Sequence, residues 1–120
     1  MRRLCFVLIV VIGVIFCQSA YSQSDKFPLD HKELGKHERP LVEFNHKLHS
    51  NKLDCTRCHH DFDKLKNNRG GEGQPCESCH KARGSQGVPS LKDAYHQQCI
   101  DCHKAMKTGP LMCGQCHVRK

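Results

Sequence analysis

Tryptophan is absent from this 120-residue chain, and aromatic residues make up only 6% of it. Large apolar residues are scarce as well. Beyond residue 22 the chain has fifteen Leu, Ile, Val and Phe in 98 residues, about 15%, below the roughly 20% at which a charged chain is usually disordered. So short and polar a chain should not fold around its own side chains. An ordinary globular enzyme is therefore excluded: either the chain is disordered or something other than side chains supplies the core. A membrane-spanning length of apolar residues is also missing. The longest apolar run, Leu4 to Cys17, has 14 residues interrupted by one glycine, too short for a comfortable span.

A nucleic-acid surface is lacking too, despite a formal charge of +7. Arg2 and Arg3 precede the apolar run, and the remaining 17 basic and 12 acidic residues leave +5. The lysines are scattered, and no basic stretch carries interleaved aromatics.

The apolar run has a clear reading. Met1-Arg2-Arg3 forms a positive start, the run has the length of a signal-peptide core, and Ala20-Tyr21-Ser22 puts small residues at the −3 and −1 positions before Gln23. Residues 1–22 are expected to be a secretory signal peptide, with an uncleaved N-terminal anchor as the alternative. The mature chain would then sit in the periplasm with eight cysteines in an oxidising compartment, and without stable membrane insertion.

Residues 23–43 read as an irregular N-terminal arm, and Arg39 to Phe44 as a short strand. Residues 67–74 and 84–89, rich in Gly, Asn, Ser and Gln, read as loops. Ser90 to Lys107 is the best helix: Ser90 can cap it, Asp93 lies three residues on, and Gly109-Pro110 stops it. The fold class expected is a small, mostly irregular chain with a few α-helices and a short N-terminal strand or hairpin, whose domain runs over residues 44–120.

What the chain has in abundance is cysteine and histidine, ten of each. One five-residue pattern occurs four times: Cys55-Thr-Arg-Cys58-His59, Cys76-Glu-Ser-Cys79-His80, Cys99-Ile-Asp-Cys102-His103 and Cys113-Gly-Gln-Cys116-His117. C-x-x-C-H is the attachment signature of c-type haem. Two thiols at this spacing reach the two vinyl groups of one porphyrin, and the next residue presents an imidazole to the iron. With histidine at one residue in twelve, four such coincidences by chance have odds of roughly 1 in 20,000. Zinc ribbons also use paired C-x-x-C but need no histidine after each pair. Four disulfides would leave the histidines unexplained. Four covalent haems also resolve the missing core, since each is a large flat apolar body. Their eight propionates would take the charge from +5 to about −3.

Haem iron with one histidine still has an open axial position, and what fills it decides between electron transfer and chemistry. Beyond the proximal His59, His80, His103 and His117, the mature chain has His31, His37, His46, His49, His60 and His96. His46 and His49 share a helix face if their segment is helical. His60 directly follows His59, so the two side chains point to opposite sides of extended backbone and would serve two haems. His96 lies two turns before His103 on the expected helix. His31 and His37 fall in the polar arm and read as ordinary surface histidines. Met106 and Met112 read as packing residues.

The pattern resembles the class III cytochromes c, of the low-potential tetrahaem cytochrome c3 type. F-x-H-x-x-H, then C-x-x-C-H-H, then three further attachment sites is that family's layout, and it covers Phe44 to His117. The tail from Cys99 to His117 is also similar to the three-haem cytochrome c7 relatives, which lack the second haem. This chain keeps both His60 and the Cys76–His80 site, so four is the better count. Many tetrahaem members have C-x4-C-H at the second and fourth sites, where all four here are C-x-x-C-H. The resemblance implies pairing of His59 with His46, His80 with His60, His103 with His49 and His117 with His96.

It further implies a periplasmic electron carrier rather than an enzyme. Such carriers exchange electrons with hydrogenases or formate dehydrogenases and with membrane-bound multihaem cytochromes. Lys104, Lys107 and Lys120 could steer an acidic partner. The competing expectation is a small multihaem reductase, acting on a metal ion or oxyanion at one open haem.

Overall fold

The computed structural model describes residues 25–71 and 73–119; the expected signal peptide lies outside them. Regular structure is sparse. A two-stranded antiparallel ribbon pairs β1 (Phe27–Pro28) with β2 (Glu43–Phe44), in the register Phe27 to Phe44 and Pro28 to Glu43. The Phe27 and Phe44 rings meet edge to face at 5.7 Å. Three single 3-10 turns follow the chain at Lys32–Leu34, Cys55–Arg57 and Cys76–Ser78. The helices are α1 (His46–Ser50), α2 (Leu91–Met106) and α3 (Cys113–Cys116).

The expected strand over Arg39 to Phe44 shrinks to Glu43–Phe44, with one more ladder bond from the Leu29 amide to the Val42 carbonyl (2.9 Å). Proline explains the shortening. Pro40 has no N–H to give a ladder, and its carbonyl is taken by the side chain of His117 (2.7 Å). On the partner strand, Pro28 likewise has no donor.

The helices begin where side chains satisfy their free amides. Asn45 caps α1, its side-chain oxygen accepting from the Leu48 amide (3.0 Å). Ser90 caps α2 as expected: its hydroxyl accepts from the Asp93 amide (3.2 Å) and donates to the Asp93 carboxylate (2.6 Å). At the other end Lys107 turns left-handed, with φ 51°, and α2 stops at Met106, three residues before Gly109.

Among their described residues the expected loops carry no helix or named strand. Residues 61–69 fold back through a bridge between Phe62 and Asn68, and Ser85 bridges Val88. The first of these loops is organised by Asp63, whose carboxylate accepts from the amides of Leu65 and Asn67 and from the side chains of Asn67 and Arg69.

Among the described residues Leu91 is the only fully buried hydrophobic side chain. Its amide donates to the Lys81 carbonyl (2.8 Å), fastening the start of α2 just beyond the second cysteine motif. A fold with one buried leucine matches the composition: side-chain packing is not what holds these segments in place. No described helix is long and apolar enough to cross a membrane.

Candidate haem sites

Each C-x-x-C-H motif spans about one turn of helix, 3-10 in the first two and α in the last two. In the first, the Cys55 carbonyl accepts from the amides of Cys58 (3.2 Å) and His59 (2.9 Å). Cys76 does the same for Cys79 (3.3 Å) and His80 (2.9 Å), and Cys113 accepts from His117 (2.8 Å). The third motif lies inside α2. One turn places residues i and i+3 on one face, so each pair of thiols is presented side by side.

None of the eight described cysteines is in a disulfide. Burial pushes Cys58 and Cys116 up, and Cys99 up to about 11. These thiols stay protonated at neutral pH. Among the described residues no three of His, Cys, Asp and Glu converge as a bare metal-ion site.

Each proximal imidazole faces one histidine from outside the motifs. His59 and His46 have ring centres 6.4 Å apart, His80 and His60 5.9 Å, His103 and His49 6.3 Å, and His117 and His96 6.3 Å. Two imidazoles on opposite sides of one metal, each with a metal–nitrogen bond of about 2.0 Å, would have centres about 6.3 Å apart. The donor set therefore fits four haem irons with two histidines each.

The protonation of the rings agrees with that fit. Nδ1–H of His80 donates to the Pro89 carbonyl (3.0 Å), that of His103 to Pro110 (2.8 Å), that of His117 to Pro40 (2.7 Å) and that of His49 to Asn45 (2.8 Å). Placing the proton on Nδ1 leaves the Nε2 lone pair for a metal, and the carbonyl bond fixes the ring and raises its basicity. His60 is held below its ordinary pKa by burial and by the facing His80, which keeps it neutral.

The backbone is shaped to these rings. α1 carries His46 and His49 on one face, as its spacing suggested. His46 meets His59 in the first motif, and His49 meets His103 in the third. Phe44 stacks on His49 at 4.8 Å, and Phe62 on His60 at 4.7 Å. At Gly71 a Cβ would come within 2.7 Å of the His60 carbonyl oxygen, so only glycine lets the loop pass there. The carbonyl acceptors on Pro40, Pro89, Pro110 and Asn45 were not foreseen from sequence; a proline near a motif was the only signal available.

The arm histidines lie elsewhere. His37 bonds Asp30 (3.1 Å), and His31 meets Tyr95 and Glu77. His96 is an exposed residue, yet its ring faces His117. Met106 and Met112, expected to pack, are 49% and 68% exposed, and the Met106 sulfur accepts from the Cys102 thiol (3.6 Å).

The chain is similar to known proteins. The model of the class III cytochrome C family matches residues 21–117. Cytochrome c3 of Maridesulfovibrio salexigens is 38% identical over 92 residues, covering 72% of this chain and 86% of the relative. Cytochrome c3 of Desulfovibrio desulfuricans is 38% identical over 86 residues, covering 65% and 78%. Among solved structures, the oxidized triheme cytochrome PpcA of Geobacter sulfurreducens overlays with a TM-score of 0.45 at 28% identity, covering 80% of this chain and all of that one. With four haem-attachment motifs, paired imidazoles and a family match over most of its length, this chain belongs to the class III cytochromes c, multihaem electron-transfer proteins.

Proposed function

We propose that the chain binds four c-type haems, each with two histidine ligands, and works as a low-potential electron carrier of the periplasm. The single observation that carries the reading is the set of four imidazole pairs at 5.9–6.4 Å. Each pair joins one motif histidine to one histidine outside the motifs, and no motif histidine is left without a facing ring. Cys55 and Cys58, Cys76 and Cys79, Cys99 and Cys102, and Cys113 and Cys116 would hold the four porphyrins. Haem iron, when bound, supplies one-electron oxidation and reduction, and two nitrogen ligands with solvent access favour low potentials.

The protein's part is placement. One peptide link joins His59 to His60 and so ties the first pair to the second. α1 ties the first pair to the third through His46 and His49. α2 ties the third to the fourth through His103 and His96. Followed along the backbone, the four pairs form one line, second, first, third, fourth, and electrons would hop between the haems they hold. With two histidines holding each haem, no iron would be open to substrate, which favours a carrier over a reductase.

Electron donors of the hydrogenase or formate dehydrogenase class, and acceptors among membrane-bound multihaem cytochromes, fit such a carrier. Contacts with them would be small and transient. Export through residues 1–22 fits both haem attachment and these partners. Intact mass and spectroscopy of the purified protein test the reading together. Polypeptide plus four haems, all low-spin, is expected. Three haems, or a high-spin haem open on one side, would overturn it.

A further inference from the structure

His31 and His37 are the arm histidines for which the four haem sites have no use, and His31 is not an idle surface residue. Its side chain is 14% exposed. It precedes the turn Lys32–Leu34 in extended backbone and makes no capping bond there, so its ring is free for long-range contacts. Nε2 lies 2.8 Å from the Tyr95 hydroxyl, and the two rings pack at 5.3 Å. Nδ1 lies 3.5 Å from the Glu77 carboxylate. With the proton on Nδ1 facing Glu77, Nε2 accepts from Tyr95, and the three side chains form one chain: Tyr95 to His31 to Glu77.

The two ends of that chain belong to different haem sites. Glu77 lies between Cys76 and Cys79, in the second motif. Tyr95 directly precedes His96, which faces His117 of the fourth motif. Along the backbone these are the two outermost members of the line described above, joined through the first and third sites. Tyr95 also hydrogen-bonds Cys76 of the second motif directly, and His31 adds a second bridge from the N-terminal arm. We propose that His31 is a positioning residue that clamps the second motif to the start of α2, and thereby sets the potentials of the second and fourth haems and the interaction between them. This rests on the four-haem ligation proposed above.

The test is a redox titration that resolves the four haems, by NMR of the whole haem-loaded protein, on His31→Ala, His31→Gln and Tyr95→Phe. His31→Ala removes the clamp and admits water to both ends. Water favours the more charged ferric state, so the haems at Cys76/Cys79 and Cys113/Cys116 should become harder to reduce. At a fixed poise their ratio of reduced to oxidised should fall by about threefold, the scale of one lost hydrogen bond. The haems at Cys55/Cys58 and Cys99/Cys102 should hold their values. His31→Gln keeps a donor and an acceptor and should restore part of the shift. Tyr95→Phe keeps the ring and the fold and should reproduce the shift in lesser degree. Four unmoved potentials in the variants, or one equal shift of all four with a loss of thermal stability, would overturn the clamp alone. Fewer than four low-spin haems in the unaltered protein would overturn the ligation reading and the clamp with it.

Discussion

His103 donates Nδ1–H to the carbonyl of Pro110, seven residues further on, at 2.8 Å. The chain must reverse tightly past the imidazole to bring that carbonyl back. Gly109 is where it does so, at φ 87°, with a backbone so near the ring that a Cβ would lie 2.5–2.8 Å from three ring atoms. Gly109-Pro110 does more than end a helix: it seats the third proximal histidine.

Gly109→Ala should therefore damage one site out of four. A side chain at positive φ costs about 1–3 kcal/mol, and the methyl also pushes His103 off its carbonyl. The haem held by Cys99 and Cys102 should lose low-spin character, while the other three keep theirs. Visible and EPR spectra of the variant check this. An unchanged low-spin signal from all four would mean that the loop yields without moving the ring.

A second prediction concerns His60→Met. His60 faces His80 at 5.9 Å, and Phe62 stacks behind it. Methionine keeps a ligand but replaces a strong nitrogen donor with a thioether, which favours ferrous iron. The haem at Cys76 and Cys79 should titrate at clearly higher potential, and the other three should shift less. That site would trap electrons and slow their sharing. An unchanged titration would show that His60 is not a ligand.

The cysteine motifs were legible because covalent attachment demands a contiguous spacing. The Ser90 cap and the α1 face were legible because both are local. The pairing of histidines was not derivable from spacing, since rings such as His49 and His103 meet across 54 residues of chain; it came from family resemblance. The strand stops short of Arg39 because the Pro40 carbonyl turns to His117, which nothing in the sequence discloses. His31 was passed over for a related reason: a polar arm looks like surface until its partners on two distant segments are known.

Composition and structure together predict the behaviour of haem-free protein. With Leu91 the only fully buried hydrophobic among the described residues, little apolar area is removed from water at about 25 cal/mol per Å² to offset chain entropy. Material produced without haem attachment should show no cooperative thermal transition by circular dichroism. A sharp transition would reveal a side-chain core that neither sequence nor structure discloses.

The last prediction is local and depends on pH. The Asp63 carboxyl is held below its usual range chiefly by the Asn67 amide, with further bonds from the Asn67 side chain, the Leu65 amide and Arg69. A carboxyl depressed in the folded loop stabilises it fully above the unfolded value of about 3.9, and that contribution fades as pH falls through the lower folded value. Lys66 sits inside this loop at φ 65°, a left-handed backbone that a non-glycine residue holds only when its surroundings impose it. Protonating Asp63 weakens four acceptor contacts together and releases that residue. Amide resonances of Leu65 and Asn67 should therefore move together on acidification, with a midpoint below that of a free aspartate, while those of α2 stay in place. Asp63→Asn keeps the shape but removes the charge, so the acid transition should vanish and the loop amides should already exchange faster at neutral pH. A midpoint at or above the free value would show that the amides around Asp63 do not favour its charged form.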